Sequence, residues 1–252
     1  MNIEKFVNSK FYRGFEWFYR LIFLNLFTFV VSFSLAAIPF LVWYNNQELV
    51  FLIYIAIVLF VLLFIPAFIT SLIVIKYYID DNTGNFFVLY FKYFIDTIKK
   101  IWLVELILVP IFLAVVYGTV HYWQLLGPEY YQPNAFGIFS IIAFVIEFLV
   151  VILFLLMFIN LSLLVAHFQM KPSGYIILSF RFAFRYMAQT ILAILVLFAP
   201  LVLMFLIGMR FVPIYFIGGI SFPQFLIYYM AKNRFNYLQR NVDDIDSENK
   251  YE

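Results

Sequence analysis

The chain reads as an all-α, polytopic membrane helix bundle, and three observations carry that reading. Hydrophobic residues make up 66% of its 252 positions and charged residues only 12%, about half the charged share of an ordinary soluble domain. Apolar runs such as 21–43 and 49–75 exceed the roughly 20 residues a helix needs to cross hydrocarbon. On a six-span map, every Lys and Arg except Arg210 falls on one side. Basic residues are retained in cytoplasmic loops, so that side is expected to face the cytoplasm, with both termini inside.

Residues 1–20 are mixed polar and aromatic and read as a cytoplasmic or interfacial segment, because the first apolar run has full span length and lacks a small-residue cleavage site. The six expected spans are 21–43, 49–75, 101–122, 137–165, 190–208 and 211–230, so the transmembrane domain covers 21–230. Lys76, Lys92, Lys99 and Lys100 fall in one inner loop, and Lys171, Arg181 and Arg185 in the next. The outer stretch 122–136, with Pro128 and Pro133, carries one charged residue, Glu129. Residues 231–252 form a cytoplasmic tail whose acidic end, with Asp243, Asp244, Asp246, Glu248 and Glu252, lacks the apolar content to pack and is expected to be disordered.

Three segments on the basic side have helical periodicity. Phe87, Tyr90, Phe91, Phe94 and Ile98 recur at three- and four-residue spacing; Ile177, Phe180, Phe184 and Met187 do the same, with Arg181 and Arg185 one turn apart. Segment 6–20 has Phe11, Phe15, Phe18 and Tyr19 beside Lys10, Arg13 and Arg20. Such helices either lie in the interface against anionic lipid or dock a partner. On the second reading Phe91, Phe94, Arg181, Phe184 and Arg185 are the docking residues. The two loops also match at an offset of 90 residues: Gly84 with Gly174, Tyr90 with Phe180, Phe94 with Phe184 and Pro110 with Pro200. The chain is therefore expected to contain duplicated two-helix hairpins in one orientation.

Polar groups within spans are costly and mark candidate sites. Glu147 falls near mid-membrane, either as a proton or cation carrier or as a neutral acid bonded to a neighbouring helix. Glu105, five positions past Lys100, is expected to snorkel toward the inner basic residues. Arg210 is positioned for an anion or for headgroups. Asn25, Asn160 and Gln224 are expected to bond between helices. There is no Cys, which removes disulfides and thiolate chemistry, and the two histidines fall at opposite interfaces, so no metal site is expected. A net charge of +2 gives no support for nucleic-acid binding. Phosphate-loop, zinc-protease and serine-hydrolase motifs are missing, and the chain is expected to be non-enzymatic and without cofactors.

The stretch Phe15-Glu16-Trp17-Phe18-Tyr19-Arg20-Leu21, then Leu24-Asn25-Leu26 and later Ser221-Phe222-Pro223, resembles the YesL-like family of bacterial integral membrane proteins. The resemblance runs from about residue 10 to 240. Ala36-Ala37-Ile38-Pro39 departs from the Pro/Thr/Gly-rich segment of that family's first helix. The resemblance implies a bacterial plasma-membrane protein and an accessory role beside a carbohydrate ABC importer, with permease subunits, an ATPase and a sugar-binding protein as partners. It carries over no catalytic residues. The alternative is an autonomous small transporter or toxic-peptide protection protein that uses its embedded Glu. A lipid-modifying enzyme is a third reading without residues to support it.

Overall fold

A computed structural model describes residues 10–80, 82–127 and 135–248, all helix and connecting turns. The helices are α1 (Lys10–Asn45), α2 (Phe51–Ile79), α3 (Phe86–Leu125), α4 (Ala135–His167), α5 (Pro172–Arg185) and α6 (Met187–Ile207). A 3-10 turn, Gly208–Phe211, leads to α7 (Val212–Gly218) and α8 (Ser221–Glu248). Five helices have membrane-spanning stretches, and Val212–Gly218 with Ser221–Phe235 forms a further pair bent by 45°. The protein is a multi-pass membrane helix bundle. The connection around Pro128 and Pro133, and residues 249–252 of the expected tail, lie outside the described residues.

Two of the expected surface helices are not separate elements. α1 has 36 residues and α3 has 40, about 54 and 60 Å at 1.5 Å per residue against about 30 Å of hydrocarbon. The aromatic segment from Phe87 to Ile98 is simply the start of α3, and segment 10–20 the start of α1. Asn85 begins α3 by accepting hydrogen bonds from the N–H groups of Phe87 (3.1 Å) and Val88 (3.3 Å), and no Gly or Pro interrupts the helix before Pro110. The matching segment α5 is separate: Pro172 starts it and Tyr186, at φ −118° and ψ 34°, ends it. The last helix also runs further than a span requires, because the polar segment after 230 continues as α8 to Glu248.

The tight core lies in the basic half of the bundle. On α2 the buried positions concentrate at Pro66–Leu72, Val74, Ile75 and Tyr78, whereas Phe51, Tyr54 and Ile57 are exposed. α4 repeats this, with Phe139 to Leu149 largely exposed and Leu156 to Val165 largely buried. Tyr90, Tyr175 and Tyr228 are fully buried in the basic half. The apolar exposed rows toward the other end suit contact with lipid tails, which lose nothing by touching Phe and Ile.

The α7–α8 pair is bent where α1 holds its break. Asn25, fully buried, donates to the carbonyls of Tyr215 (3.1 Å) and Phe216 (2.6 Å) at the end of α7. Its oxygen accepts from the N–H groups of Ile220 (2.8 Å) and Ser221 (3.1 Å) at the start of α8. One side chain thus serves the backbone groups that a helix interruption frees inside a bilayer. Gly219 allows the turn: a Cβ there would lie 2.7 Å from Cγ of Tyr215.

Candidate functional site

α2, α3 and α4 diverge around a cavity of about 200 Å³ whose walls are apolar except at one residue. Phe64 and Ile65 come from α2, Val104 and Phe112 from α3, and Phe154 and Phe158 from α4. The exception is Glu105, 7% exposed, with Oε1 buried and without a partner. No hydrogen bond or ion pair reaches this carboxyl among the described residues. A buried polar group that is unmatched costs about 1–3 kcal/mol, and this oxygen is free to accept a hydrogen bond.

This corrects the expectation that Glu105 pairs with the basic end. Positions five apart lie about 140° around a helix from each other, so with Lys100 on the basic cavity Glu105 turns inward between α2 and α4. Glu147 does not line the pocket. Its carboxylate fills the space beside Gly118, where a Cβ would lie 2.5 Å from either oxygen, and its Oε2 is also buried without a partner. Gly118 is thirteen positions beyond Glu105 on α3, so the two acids are separated by about 20 Å along the α3–α4 seam.

Asn160 is fully buried and structural. Its amide donates to the Leu156 carbonyl (2.9 Å) and to Thr190 Oγ1 (3.1 Å), joining α4 to α6. Arg234 of α8 reaches Asn160 Oδ1 at 3.5 Å and Gln189 Oε1 at 3.4 Å, and lies 4.3 Å from the Tyr186 ring centroid. Gln224 likewise bonds between helices, donating to the Phe68 carbonyl at 2.9 Å. Arg210 is exposed in the 3-10 turn. Glu105, Glu147, Asn160 and Arg210 therefore form no single constellation.

The docking candidates divide. On α5, Phe180 (44%) and Phe184 (55%) are exposed with Arg181 and Arg185, their rings 5.0 Å apart, while Tyr175, Ser179 and Ala183 face inward. Tyr175 donates to the Phe168 carbonyl at 2.8 Å, and burial pushes its phenol pKa up. Phe94 instead packs into the core against Tyr90, 6.4 Å between centroids. Phe91 is half exposed and meets Phe27 edge-on at 5.7 Å.

Sequence reasoning missed a second cavity, at the basic end, lined by Lys76, Lys92, Lys99, Lys100 and His167. The spacing of Lys92, Asp96, Lys99 and Lys100 was the available signal, because it places all four on one helix face. Among the described residues no group of three His, Asp or Glu is arranged to hold a metal ion. Searches of family models, curated proteins and solved structures find no match to this chain.

Proposed function

We propose that the protein is a small, non-enzymatic transporter of the bacterial plasma membrane that takes a lipophilic cation or hydrogen-bond donor into the Glu105 pocket. The observation that carries this reading is an apolar cavity whose one polar atom set is a buried carboxyl with an unpartnered oxygen. Phenyl rings on three helices suit an apolar or aromatic cation, and the carboxyl supplies the counter-charge. Glu147, about 20 Å away on the same seam, is the second station for a proton or ligand. The basic end faces the cytoplasm on this reading, by the retention of Lys and Arg inside.

Benzyltrimethylammonium is a suitable probe of the purified chain and of proteoliposomes. Glu105→Gln should weaken its binding roughly tenfold or more, the worth of one charge-assisted contact, whereas Glu147→Gln should slow uptake with less effect on binding. Equal binding by the native chain and Glu105→Leu would remove Glu105 from the mechanism.

A second reading is favoured by the exposed face of α5: an accessory subunit of a carbohydrate ABC importer, docked through Phe184, Arg181 and Arg185. Purification in mild detergent, with mass spectrometry of what accompanies the chain, separates the two. Stoichiometric permease, ATPase or sugar-binding protein, lost in Arg181→Gln/Arg185→Gln, supports the accessory role. Recovery of the chain alone supports the transporter.

A further inference from the structure

The cavity at the basic end is independent of the Glu105 pocket. It has a volume of about 650 Å³ and opens between α2, α3 and the α4–α5 connection. Lys76, Lys92, Lys99 and Lys100 line it, against two acids, Asp80 and Asp96. Asp80 is itself drawn to Lys232 on α8, at 3.9 Å. The only other ion pair among the described residues is Arg20 with Glu16, so none of the four cavity lysines has a carboxylate within 4 Å, although Asp80 attracts Lys76 from further away. Lys76 is half-buried, and its Nζ has one hydrogen bond, to the Ala166 carbonyl at 3.4 Å.

His167 lines the same cavity and is 8% exposed. Its ring is stacked between Tyr228 and Phe235, at centroid distances of 5.6 and 4.8 Å. Nδ1 is 2.8 Å from the Leu163 carbonyl. A carbonyl cannot donate, so Nδ1 carries a proton, and in the neutral ring Nε2 is left as an acceptor. That Nε2 is buried without a partner.

We infer that this cavity binds a phosphate monoester, with the lysine ammonium groups taking its charged oxygens and its remaining P–OH serving His167 Nε2. Unpaired lysines call for an anion, and the orphan acceptor calls for one that still holds a proton. Carboxylates and phosphodiesters have none at neutral pH. A phosphate monoester does in part, because its second proton leaves near pH 6. A lipid headgroup and a soluble phosphate ester share this chemistry.

The test titrates the full chain in mild detergent with dioctanoyl phosphatidic acid, dioctanoyl phosphatidylglycerol and glycerol 3-phosphate, following heat release. Phosphatidic acid should bind roughly tenfold more tightly than phosphatidylglycerol, the worth of one hydrogen bond to a charged group. Lys76→Gln should weaken it by a similar factor. Lys92→Gln/Lys99→Gln changes two exposed positions that cannot unfold the bundle, and should weaken binding too. His167→Phe preserves the stacking with Tyr228 and Phe235 and should erase the preference for the monoester while binding persists. Competition by glycerol 3-phosphate assigns a soluble ester; its failure to compete while phosphatidic acid binds assigns a headgroup. Equal affinity for the two lipids, or unchanged affinity in Lys92→Gln/Lys99→Gln, would overturn the inference.

Discussion

Asn25→Ala should unlatch the α7–α8 bend, and the cost follows from the four backbone groups its amide serves. The Tyr215 carbonyl keeps a second partner, the N–H of Gly219 at 2.7 Å. The Phe216 carbonyl and the N–H groups of Ile220 and Ser221 lose the bonds at 2.6, 2.8 and 3.1 Å. At about 1 kcal/mol for each of these three, the loss is about 3 kcal/mol; membrane-embedded bonds average nearer 0.6 kcal/mol, which sets a lower figure of about 2. Unfolding in mixed micelles with rising dodecyl sulfate measures it. Trp17 reports on the local event, because its ring lies 5.2 Å from Phe225 of α8. Asn25→Asp should do no better than Ala, since it keeps an acceptor for α8 but sets a second oxygen against the Phe216 carbonyl. A loss below about 0.5 kcal/mol in Asn25→Ala, with Trp17 emission unchanged, would refute the assignment of the bend to this residue.

Two further substitutions test the placement of individual side chains. Glu105→Leu should stabilise the bundle by about 1–3 kcal/mol, because it removes a buried oxygen that bonds to nothing, and should abolish probe binding at the same time. Micelle unfolding and calorimetry on one preparation check both halves. Phe94→Ala should cost about 2–3 kcal/mol of bundle stability, near the low end for a core aromatic because the ring is partly buried. Phe91→Ala should cost under about 1 kcal/mol. Equal losses would return Phe94 to the surface.

The membrane class, the long apolar helices and the gathering of charge at one end were legible because hydropathy and charge are additive along the chain. Asn25 and Asn160 bond between helices, as uncharged polar residues within spans are expected to. Which acid faces a cavity was not legible. Glu147 drew attention by depth in its span, but depth says nothing of azimuth, and azimuth decides that Glu105 meets the pocket. Continuity was equally hidden: the Phe87–Ile98 segment and the Ile177–Met187 segment have the same periodicity, yet only the second is set off by Pro172 and Tyr186. The basic cavity was not legible because in the sequence its lysines mark only topology, and because His167 joins them only through the packing of α4 against α2 and α8.

The offset of 90 residues acquires physical content from two buried side-chain bonds. Thr70 Oγ1 meets Thr97 Oγ1 at 3.4 Å between α2 and α3, and Asn160 meets Thr190 at 3.1 Å between α4 and α6. Thr70 and Asn160 are 90 positions apart, whereas Thr97 and Thr190 are 93 apart. The extra three positions are close to one helical turn, and they do not persist, because Pro110 and Pro200 further along are again 90 apart. Each hairpin joins its first helix to its second by a buried polar pair, the second pair lying about one turn further along its second helix. Bond geometry then orders the energetics. A double-mutant cycle on Asn160→Leu and Thr190→Val should return a coupling of about 1 kcal/mol, and one on Thr70→Val and Thr97→Val about half that, within the range for bonds between membrane helices. Couplings near zero in both cycles would reduce the offset to coincidence among apolar residues, since the aligned glycines and prolines alone constrain only turns and kinks. A coupling in both would make the buried polar pair a fastening common to the two hairpins, against which α1 and the α7–α8 bend pack.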